Sequence, residues 1–298
     1  MGAMWSNFNV TPPAFKTVAL IGRYNTAEIA ESLLGLAGLL QQRGCSVLIE
    51  KETAARIGRN GFAAADYAAI GKQAELAVVL GGDGSMLSAA RHLAVHGVPL
   101  VGVNQGRLGF MTDIAFSQMR ETIELLLAGE YTIGERTMLE ARVLRGDKEI
   151  FSTQALNDIV VNKGATGRMI EFLVHIDGQF VYDLRADGII LATPTGSTAY
   201  ALSSNGPILQ PNLPGIALVP VCPHTLSNRP ITVSDRCVIE ITIKQRAVGA
   251  SLHFDGQPHS ELAADDRVIV RRAAHGIRFV HPPGYSYYAM LREKLHWS

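Results

Sequence analysis

The sequence predicts an α/β N-terminal domain, a parallel sheet with helices on both faces, followed by a β-rich, sandwich-like C-terminal domain. Three observations carry that expectation. Up to about residue 112, short continuous apolar runs alternate with helix-period segments, as strands do when crossover helices bury both their faces. After about Tyr131 the runs become short and are separated by tight turns, as in antiparallel β structure. At 298 residues, the chain has material for about two domains with cores of their own.

Residues 1–14 have neither a basic start nor an apolar centre and are expected to be a disordered lead, not a secretion signal. Thr17–Ile21 is an apolar strand. Ala27–Gln42 follows as a helix, with Ile29, Leu33, Leu36 and Leu40 near one face and Gly44 as its stop. Ser46–Ile49 is a second strand, residues 52–75 are helix or loop, and Leu76–Leu80 is the next strand. Gly81-Gly82-Asp83-Gly84 then turns the chain into an amphipathic helix from Ser85 to Leu93, and Leu100–Val103 is a further strand. Phe116–Ala128 is helical and bridges the two parts, with the β-rich domain assigned to 113–281. Within it, Arg145–Lys148 is a turn, and Asp177-Gly178 between Glu171–Ile176 and Gln179–Leu184 is a strong hairpin signal. Gly188–Ala192, Cys237–Lys244, Arg267–Arg271 and Ile277–His281 continue the β pattern.

Composition narrows the classes. With 47% hydrophobic and 18% charged residues, this is an ordinary globular chain. Its 27 basic and 27 acidic residues cancel, which argues against nucleic acid or an anionic membrane as partner. No apolar run approaches a membrane span. Cys45, Cys222 and Cys237 are far apart and odd in number, which fits neither a disulfide framework nor a zinc site. They are expected to be buried thiols in a reducing compartment, the cytoplasm.

The most informative stretch is Leu-Ala-Val-Val-Leu-Gly-Gly-Asp-Gly at 76–84. A strand, a glycine-rich turn and a helix start make a phosphate cradle: Gly81, Gly82 and Gly84 allow backbone N–H groups close approach, and the helix N-terminus adds partial positive charge. Asp83 does not belong in a simple phosphate site. At about 4 Å from a phosphate charge it is repelled by roughly 4 kcal/mol at an effective dielectric of 20. Either a metal ion lies between them, or the acid takes a proton from an attacking hydroxyl; both point to phosphoryl transfer. An ordinary strand-ending turn is the bland alternative, and the loop by itself does not separate the two.

Other segments tip the balance. Asn104-Gln105-Gly106-Arg107-Leu108-Gly109-Phe110 is a second glycine-bearing loop at a neighbouring strand end, where α/β sheets bind ligands. Thr193–Tyr200 packs hydroxyls around a Pro/Gly turn; these suit sugar or amide groups, and Tyr200 offers a flat face to a base. Thr195, Ser197 or Thr198 as a helix cap is the plain reading of the same residues. Asn157-Asp158 is a donor–acceptor pair suited to adjacent ribose hydroxyls, though taken alone it reads first as a turn or strand start, and Asp255-Gly256 is first of all a hairpin turn. The nine histidines show no metal-ligand spacing, and His224 reads as structural. Walker A, G-x-G-x-x-G, G-x-S-x-G and H-R-D patterns are absent.

Together, Gly81–Gly84, Asn104–Phe110, Asn157-Asp158, Asp187–Tyr200 followed by Ser203–Ile208, and His224–Pro230 resemble the NAD kinase family in its bacterial form. Asp255–Gln257 is a looser match, and the resemblance runs from about Val18 to Trp297. Thr193–Tyr200 is its most specific piece. Gly-Gly-Asp-Gly is shared with lipid kinases of the diacylglycerol kinase type and, more distantly, with phosphofructokinases, which lack the Thr193–Tyr200 string.

The resemblance implies that Asp83 accepts the proton of the 2′-hydroxyl on the adenosine ribose of NAD. That hydroxyl attacks the γ-phosphorus of ATP, giving NADP and ADP, with a divalent metal (Mg2+ or Mn2+) on the phosphates. It implies NAD contacts from Asp83 and Gly84, from Asn157 and Asp158 (many relatives have Glu second), and from Arg168. Arg185 and Asp187 match residues that in relatives often reach in from a neighbouring subunit, so a homo-oligomer, dimer or tetramer, is expected. Thr198, Ala199, Tyr200, Ala201, Leu202 and Ser203 match the wall of the dinucleotide pocket, and Gln257 a further contact. The family's site lies between its domains, and the returning segment 282–298 joins residues 15–112. Two rivals remain. A lipid or sugar kinase wants a membrane-facing apolar or basic surface, against which zero net charge counts. A non-catalytic dinucleotide sensor wants defective transfer machinery, yet Asp83 and all three loop glycines are present.

Overall fold

The computed structural model describes residues 14–22, 27–58, 61–104, 106, 109–164, 167–244 and 249–297, without the side chains of 27–29 and 260. Of the expected lead, only Ala14 is described, and its N–H bonds Leu127 O at 2.9 Å. Gln105, Arg107 and Leu108 of the second loop also lie outside the described residues.

The chain divides into two compact units, Met1–Ile133 with Phe279–Ser298, and Gly134–Arg278. The first starts with β1 (Thr17–Gly22), α1 (Ala27–Gln42), β2 (Ser46–Glu50), α2 (Lys51–Ile57), β3 (Ala63–Ala65), α3 (Tyr67–Gln73), β4 (Leu76–Leu80) and α4 (Asp83–Leu93). It continues through β5 (Leu100–Asn104), β6 (Ile114–Ala115), α5 (Met119–Leu127) and β7 (Thr132–Arg136). The second unit holds β8 (Leu139–Arg145), β9 (Lys148–Ala155), β10 (Asp158–Asn162), β11 (Ile170–Ile176), β12 (Gln179–Ala186) and β13 (Gly188–Ala192). After α6 (Tyr200–Ser203) come β14 (Gly215–Val221), β15 (Ile231–Ser234), β16 (Ile239–Ile243), β17 (Ala250–Phe254), β18 (Gln257–Leu262) and β19 (Arg267–Arg272). The chain then ends with β20 (Ile277–His281) and α7 (Tyr287–Leu295).

The first sheet has the order β3-β2-β1-β4-β5-β20-β7, with β6 also on β5. The pairs from β3 to β5, and those of β5 with β6 and β20, are parallel. β4 and β5 are buried along their whole length, as strands with covered faces must be. Leu33, Leu36 and Leu40 of α1 and Met119, Ile123, Leu126 and Leu127 of α5 pack into the same core as Val18, Val78 and Val103. The helix expected to bridge the two parts therefore belongs to the first core. Ile277–His281, expected in the β-rich half, is also reassigned: it pairs in parallel with β5 through Phe279 and Leu100. Its consecutive buried Phe279, Val280 and His281 are the mark of a strand inside an α/β sheet, which the intervening Arg278 disguised.

The second unit is an antiparallel sandwich of two six-stranded sheets, β15-β14-β13-β10-β17-β18 and β12-β11-β16-β19-β8-β9. Alternate residues such as Ala141, Phe172, Ile241 and Val268 meet Ile159, Val161, Leu191 and Leu218 in its core. The sheet that runs from β15 to β18 is buried on its other face too: Val160, Ile190, Ala192, Ala217 and Val219 pack under Ala201 and Leu209. That second layer explains why β10, β13 and β14 read as continuous apolar runs. Among the cysteines, Cys45 and Cys237 are buried but Cys222 is exposed, contrary to expectation, because it sits with positive φ at the surface turn that ends β14.

Asp266 is fully buried at the turn into β19, where its carboxylate accepts from Arg145 Nε at 2.9 Å, Arg145 Nη2 at 2.8 Å and Ala263 N at 2.8 Å. Burial raises its pKa, but the arginine and backbone donors lower it more, so in the fold it lies below its ordinary value. Asp266→Asn is expected to lower stability by about 1.5–3 kcal/mol, read as a fall in urea midpoint at constant slope. The wild-type advantage should be full near neutral pH and vanish as pH falls through the acid range, because the carboxylate's stabilisation is lost on protonation.

Candidate active site

The glycine turn after β4 is tighter than the sequence suggests. α4 begins at Asp83, not at Ser85, since Gly82 is already the extended residue before the helix. Asp83 therefore occupies the first turn, where an anion is favoured by the helix dipole. By helix geometry its N–H and that of Gly84 lack intrahelical acceptors, leaving donors for a ligand at the end of a parallel strand. Gly81 is sterically required, since a Cβ there would lie 2.4 Å from Ser85 Oγ. Around Gly82 and Gly84 a Cβ would meet nothing within 4 Å, so the protein's own packing does not demand glycine at either.

Asp83 does not hang free. Its Oδ2 accepts from Phe110 N and its Oδ1 from Met111 N, both at 3.0 Å. These donors follow β5, so the two loops singled out in the sequence meet, and Gly109 is what lets them. A Cβ at Gly109 would lie 2.1 Å from Asp83 Oδ1. Each carboxylate oxygen keeps a lone pair for a further donor.

In the second unit, a cavity of about 300 Å³ lies on the face of β10 and β17 turned away from the sandwich core. Its walls are Asn157, Asp158, Val160, Asn162, Ala199, Tyr200, His253, Asp255 and Gly256. The Asn157-Asp158 pair sits at the start of β10, held by the next two segments. Asp255 accepts from Asn157 N at 2.7 Å and from Leu156 N at 3.2 Å, and its own N–H bonds Asp158 O at 3.1 Å. Thr193 N bonds Asn157 O at 2.9 Å and Thr193 Oγ1 donates to Leu156 O at 2.5 Å. Gly196 must be glycine, because a Cβ would lie 2.0 Å from Asn157 O. Asn157 is only 9% exposed, and its Oδ1 is buried without a protein partner, an acceptor left for a ligand donor.

The hydroxyl-rich string divides in function. Thr193 and Ser197 are wholly buried and internally bonded: Thr193 Oγ1 accepts from Gly196 N, and Ser197 Oγ donates to Pro194 O at 2.6 Å and accepts from Leu209 N at 2.9 Å. Thr198 Oγ1 donates to Thr195 O at 3.1 Å, and Thr195 stands at the N-cap of the short helical turn Gly196–Thr198 without a side-chain capping bond. Ala199 and Tyr200 reach the cavity, and Tyr200 is 44% exposed there, with its ring free to receive a flat ligand. Ala201 belongs to the core beneath, while Leu202 is half-buried and Ser203 exposed outside the cavity lining.

Other expected contacts stand apart from this cavity. Arg168, Arg185 and Gln257 are exposed and do not line it, and Asp187 forms an ion pair with Lys163 at 2.9 Å. Asn162 and His253 are the lining residues that sequence reasoning missed, and Asp255, read there first as a turn and only loosely as a family match, lines the cavity too. Period two from Asp158 reaches Val160 and Asn162, but His253 enters through its pairing with Val160 across β10 and β17, which no local signal reveals. Gly164 N donates to Asn162 Oδ1 at 2.9 Å, as does Ser251 Oγ at 2.8 Å. With its proton spent there, Ser251 accepts from His253 Nε2 at 3.0 Å. Burial pushes the His253 pKa down, so the ring stays neutral and its Nδ1 remains an acceptor.

The carboxylate fixed on the glycine-rich strand-to-helix turn after β4 points to the class of phosphotransferases. Comparison narrows the class. Residues 18–131 match the ATP-NAD kinase N-terminal domain and residues 156–282 the ATP-NAD kinase C-terminal domain. An NAD kinase of Aromatoleum aromaticum is 56% identical over 99% of this chain and 98% of its own length. One from Azoarcus sp. strain BH72 is 57% identical over 95% of this chain and 97% of its own. A solved yeast NADH kinase, in complex with NADH, superposes with a TM-score of 0.88 at 27% identity, covering 96% of this chain and 89% of that one. The chain belongs to the NAD kinase family. Its activity is that of an NAD+ kinase, with ATP as phosphoryl donor.

Asp158 is nearly fully buried, and burial first, then the nearby Asp255 charge, push its pKa up to about 7. Against an unfolded value of about 3.9, its contribution to stability is complete in acid and is lost as pH rises through about 7. Asp158→Asn removes that loss. Relative to wild type, the variant should gain on the order of 2 kcal/mol between pH 5 and pH 8, read from urea midpoints at the two pH values.

Proposed function

We propose that Asp83 is the general base that activates the 2′-hydroxyl of the adenosine ribose of NAD for attack on ATP. The observation that carries this reading is the Asp83 carboxylate, fixed on a phosphate-type turn by two backbone N–H groups yet keeping lone pairs for a substrate proton. In the step, the 2′-O–H proton passes to Asp83 and the 2′-oxygen forms a bond to the γ-phosphorus. The bond from that phosphorus to the β,γ-bridging oxygen breaks, and ADP leaves. The N–H groups of Asp83 and Gly84 supply donors to phosphate oxygens.

Asn157 and Asp158 bind ribose hydroxyls. The unpartnered Asn157 Oδ1 accepts, and Asp158, with its raised pKa, still carries a proton to donate near neutrality. Tyr200 gives its ring to a flat part of the dinucleotide, beside Ala199. Among the described residues, no cluster of three or more His, Cys, Asp or Glu is arranged to hold a metal ion. Mg2+ or Mn2+ enters on the ATP phosphates as part of the substrate. Arg185 and Asp187, apart from the cavity of their own chain, serve a neighbouring copy in a homo-oligomer, with Arg168, Thr198, Leu202, Ser203 and Gln257 as outlying NAD contacts. The unpaired thiols suit the cytoplasm, and no helix among the described residues is long and apolar enough to cross a membrane.

In a coupled assay with ATP, Mg2+ and NAD, Asp83→Asn is expected to lower kcat by about 10²–10⁴-fold while leaving folding unchanged. A near-normal kcat would take Asp83 out of the base role. Tyr200→Ala should instead raise KM for NAD several-fold and change kcat little, the signature of lost ground-state binding; an unchanged KM would remove Tyr200 from the pocket.

A further inference from the structure

The two N–H groups that hold Asp83 lie in Gly109–Met111, a stretch without helix or strand, and isolated loop N–H groups cannot orient a carboxylate unless the loop is itself fixed. One buried hydroxyl does that. Thr112 is wholly buried, and its Oγ1 accepts from Gly109 N at 2.9 Å and from Asn104 Nδ2 at 2.9 Å. Asn104, itself buried at the end of β5, also accepts from Gly106 N at 2.7 Å through Oδ1. Its amide therefore spans the loop from entry to exit. On the far side, Asp113 Oδ2 bonds His281 Nδ1 of β20 at 2.5 Å, and the His281 ring stacks on Tyr285 at 3.8 Å. The backbone is pinned immediately before and after the donors to Asp83.

A hydroxyl at position 112 is a costly choice for packing alone. Burying one without a role costs a few kcal/mol, and valine would fill nearly the same volume. Only an oxygen can take both the side-chain amide and the backbone N–H. The clearance is also small, since a Cβ on Gly109 would lie 2.7 Å from Thr112 Oγ1 and 2.1 Å from Asp83 Oδ1. A shift of the loop by a fraction of an ångström moves the carboxylate directly.

We propose that Thr112 is a positioning residue for phosphoryl transfer: its hydroxyl oxygen, braced by Asn104, holds the Gly109–Met111 turn so that Phe110 and Met111 keep Asp83 oriented toward the hydroxyl it deprotonates. This rests on the reading of Asp83 as the base. Thr112 touches no reacting atom; it acts through the loop.

Thr112→Ser and Thr112→Ala test this cleanly, because both lose the methyl and they differ only in the hydroxyl. With NAD, ATP and Mg2+, Thr112→Ala is expected to lose about 10- to 100-fold in kcat, the scale of a misplaced catalytic group. KM for NAD and ATP should stay within about twofold, and Thr112→Ser should retain kcat within about threefold. In an Asp83→Asn background, assayed at high enzyme by mass-spectrometric detection of NADP, Thr112→Ala should add little further loss. Equal kcat for the Ser and Ala variants would overturn the proposal. So would an Ala penalty that persists in full without the Asp83 carboxylate, which would show the hydroxyl acting elsewhere. If Thr112→Ala fails to fold, Thr112→Val supplies the hydroxyl-free comparison at near-native volume. A fully active Asp83→Asn single variant would overturn the base reading itself, an outcome distinct from an active Thr112→Ala beside an inactive Asp83→Asn.

Discussion

The first unit is organised around one clasp: a carboxylate on the turn after β4, held by consecutive backbone N–H groups 27 and 28 residues further along the chain. A lone acid at a phosphate turn would swing among rotamers, and proton transfer is sensitive to small misplacements. Backbone donors remove that freedom without adding a competing charge. The parallel sheet supplies the arrangement, because β4 and β5 are neighbours and their exit loops emerge at the same edge. Gly81 fits against Ser85 and Gly109 leaves room for the carboxylate, so glycines that look like phosphate-loop flexibility serve close packing around Asp83 as well.

The second unit solves a different problem, presenting polar atoms within a β structure without unravelling it. Its sheet of β10, β13 and β14 is apolar on both faces, and the Thr193–Ser203 segment covers the outer one. At the rim of that cover the Asn157 backbone is gripped by Asp255 and Thr193, which leaves its side-chain oxygen for a ligand. Burial first, and then the Asp255 charge beside it, hold the Asp158 carboxyl well above the usual carboxylate range. Stability given up at such a pair is typical of a binding site, where polar groups await a partner the folded chain does not contain.

Much of this was legible in the sequence. Continuous apolar runs with helices between them marked the parallel sheet, and Asp177-Gly178 marked the β11–β12 hairpin of the sandwich, where both residues have positive φ. Asp83 stood out because its charge is wrong for a phosphate cradle, and Asn157, Asp158, Ala199 and Tyr200 meet at one cavity. What was not legible came from long-range pairing. Ile277–His281 reads as one more β-domain strand until its partner is known to be β5. His253 reaches the cavity through cross-strand register, and Asp255 looks like turn punctuation until its carboxylate is seen bonded to Asn157 N. Conversely, Thr193 and Ser197 resemble ligand hydroxyls in a linear reading but are spent on the fold, because buried hydroxyls take backbone partners when these lie within reach.

The most direct measurement is a crystal structure of the protein with NAD and a non-transferable ATP analogue bound. The 2′-oxygen of the adenosine ribose should lie about 2.6–3.2 Å from an Asp83 carboxylate oxygen, the reach of a general base. Phe110 and Met111 should still donate to that carboxylate. A 2′-oxygen hydrogen-bonded to a different acceptor, with Asp83 more than about 5 Å away and still clasped by its loop, would contradict the central claim.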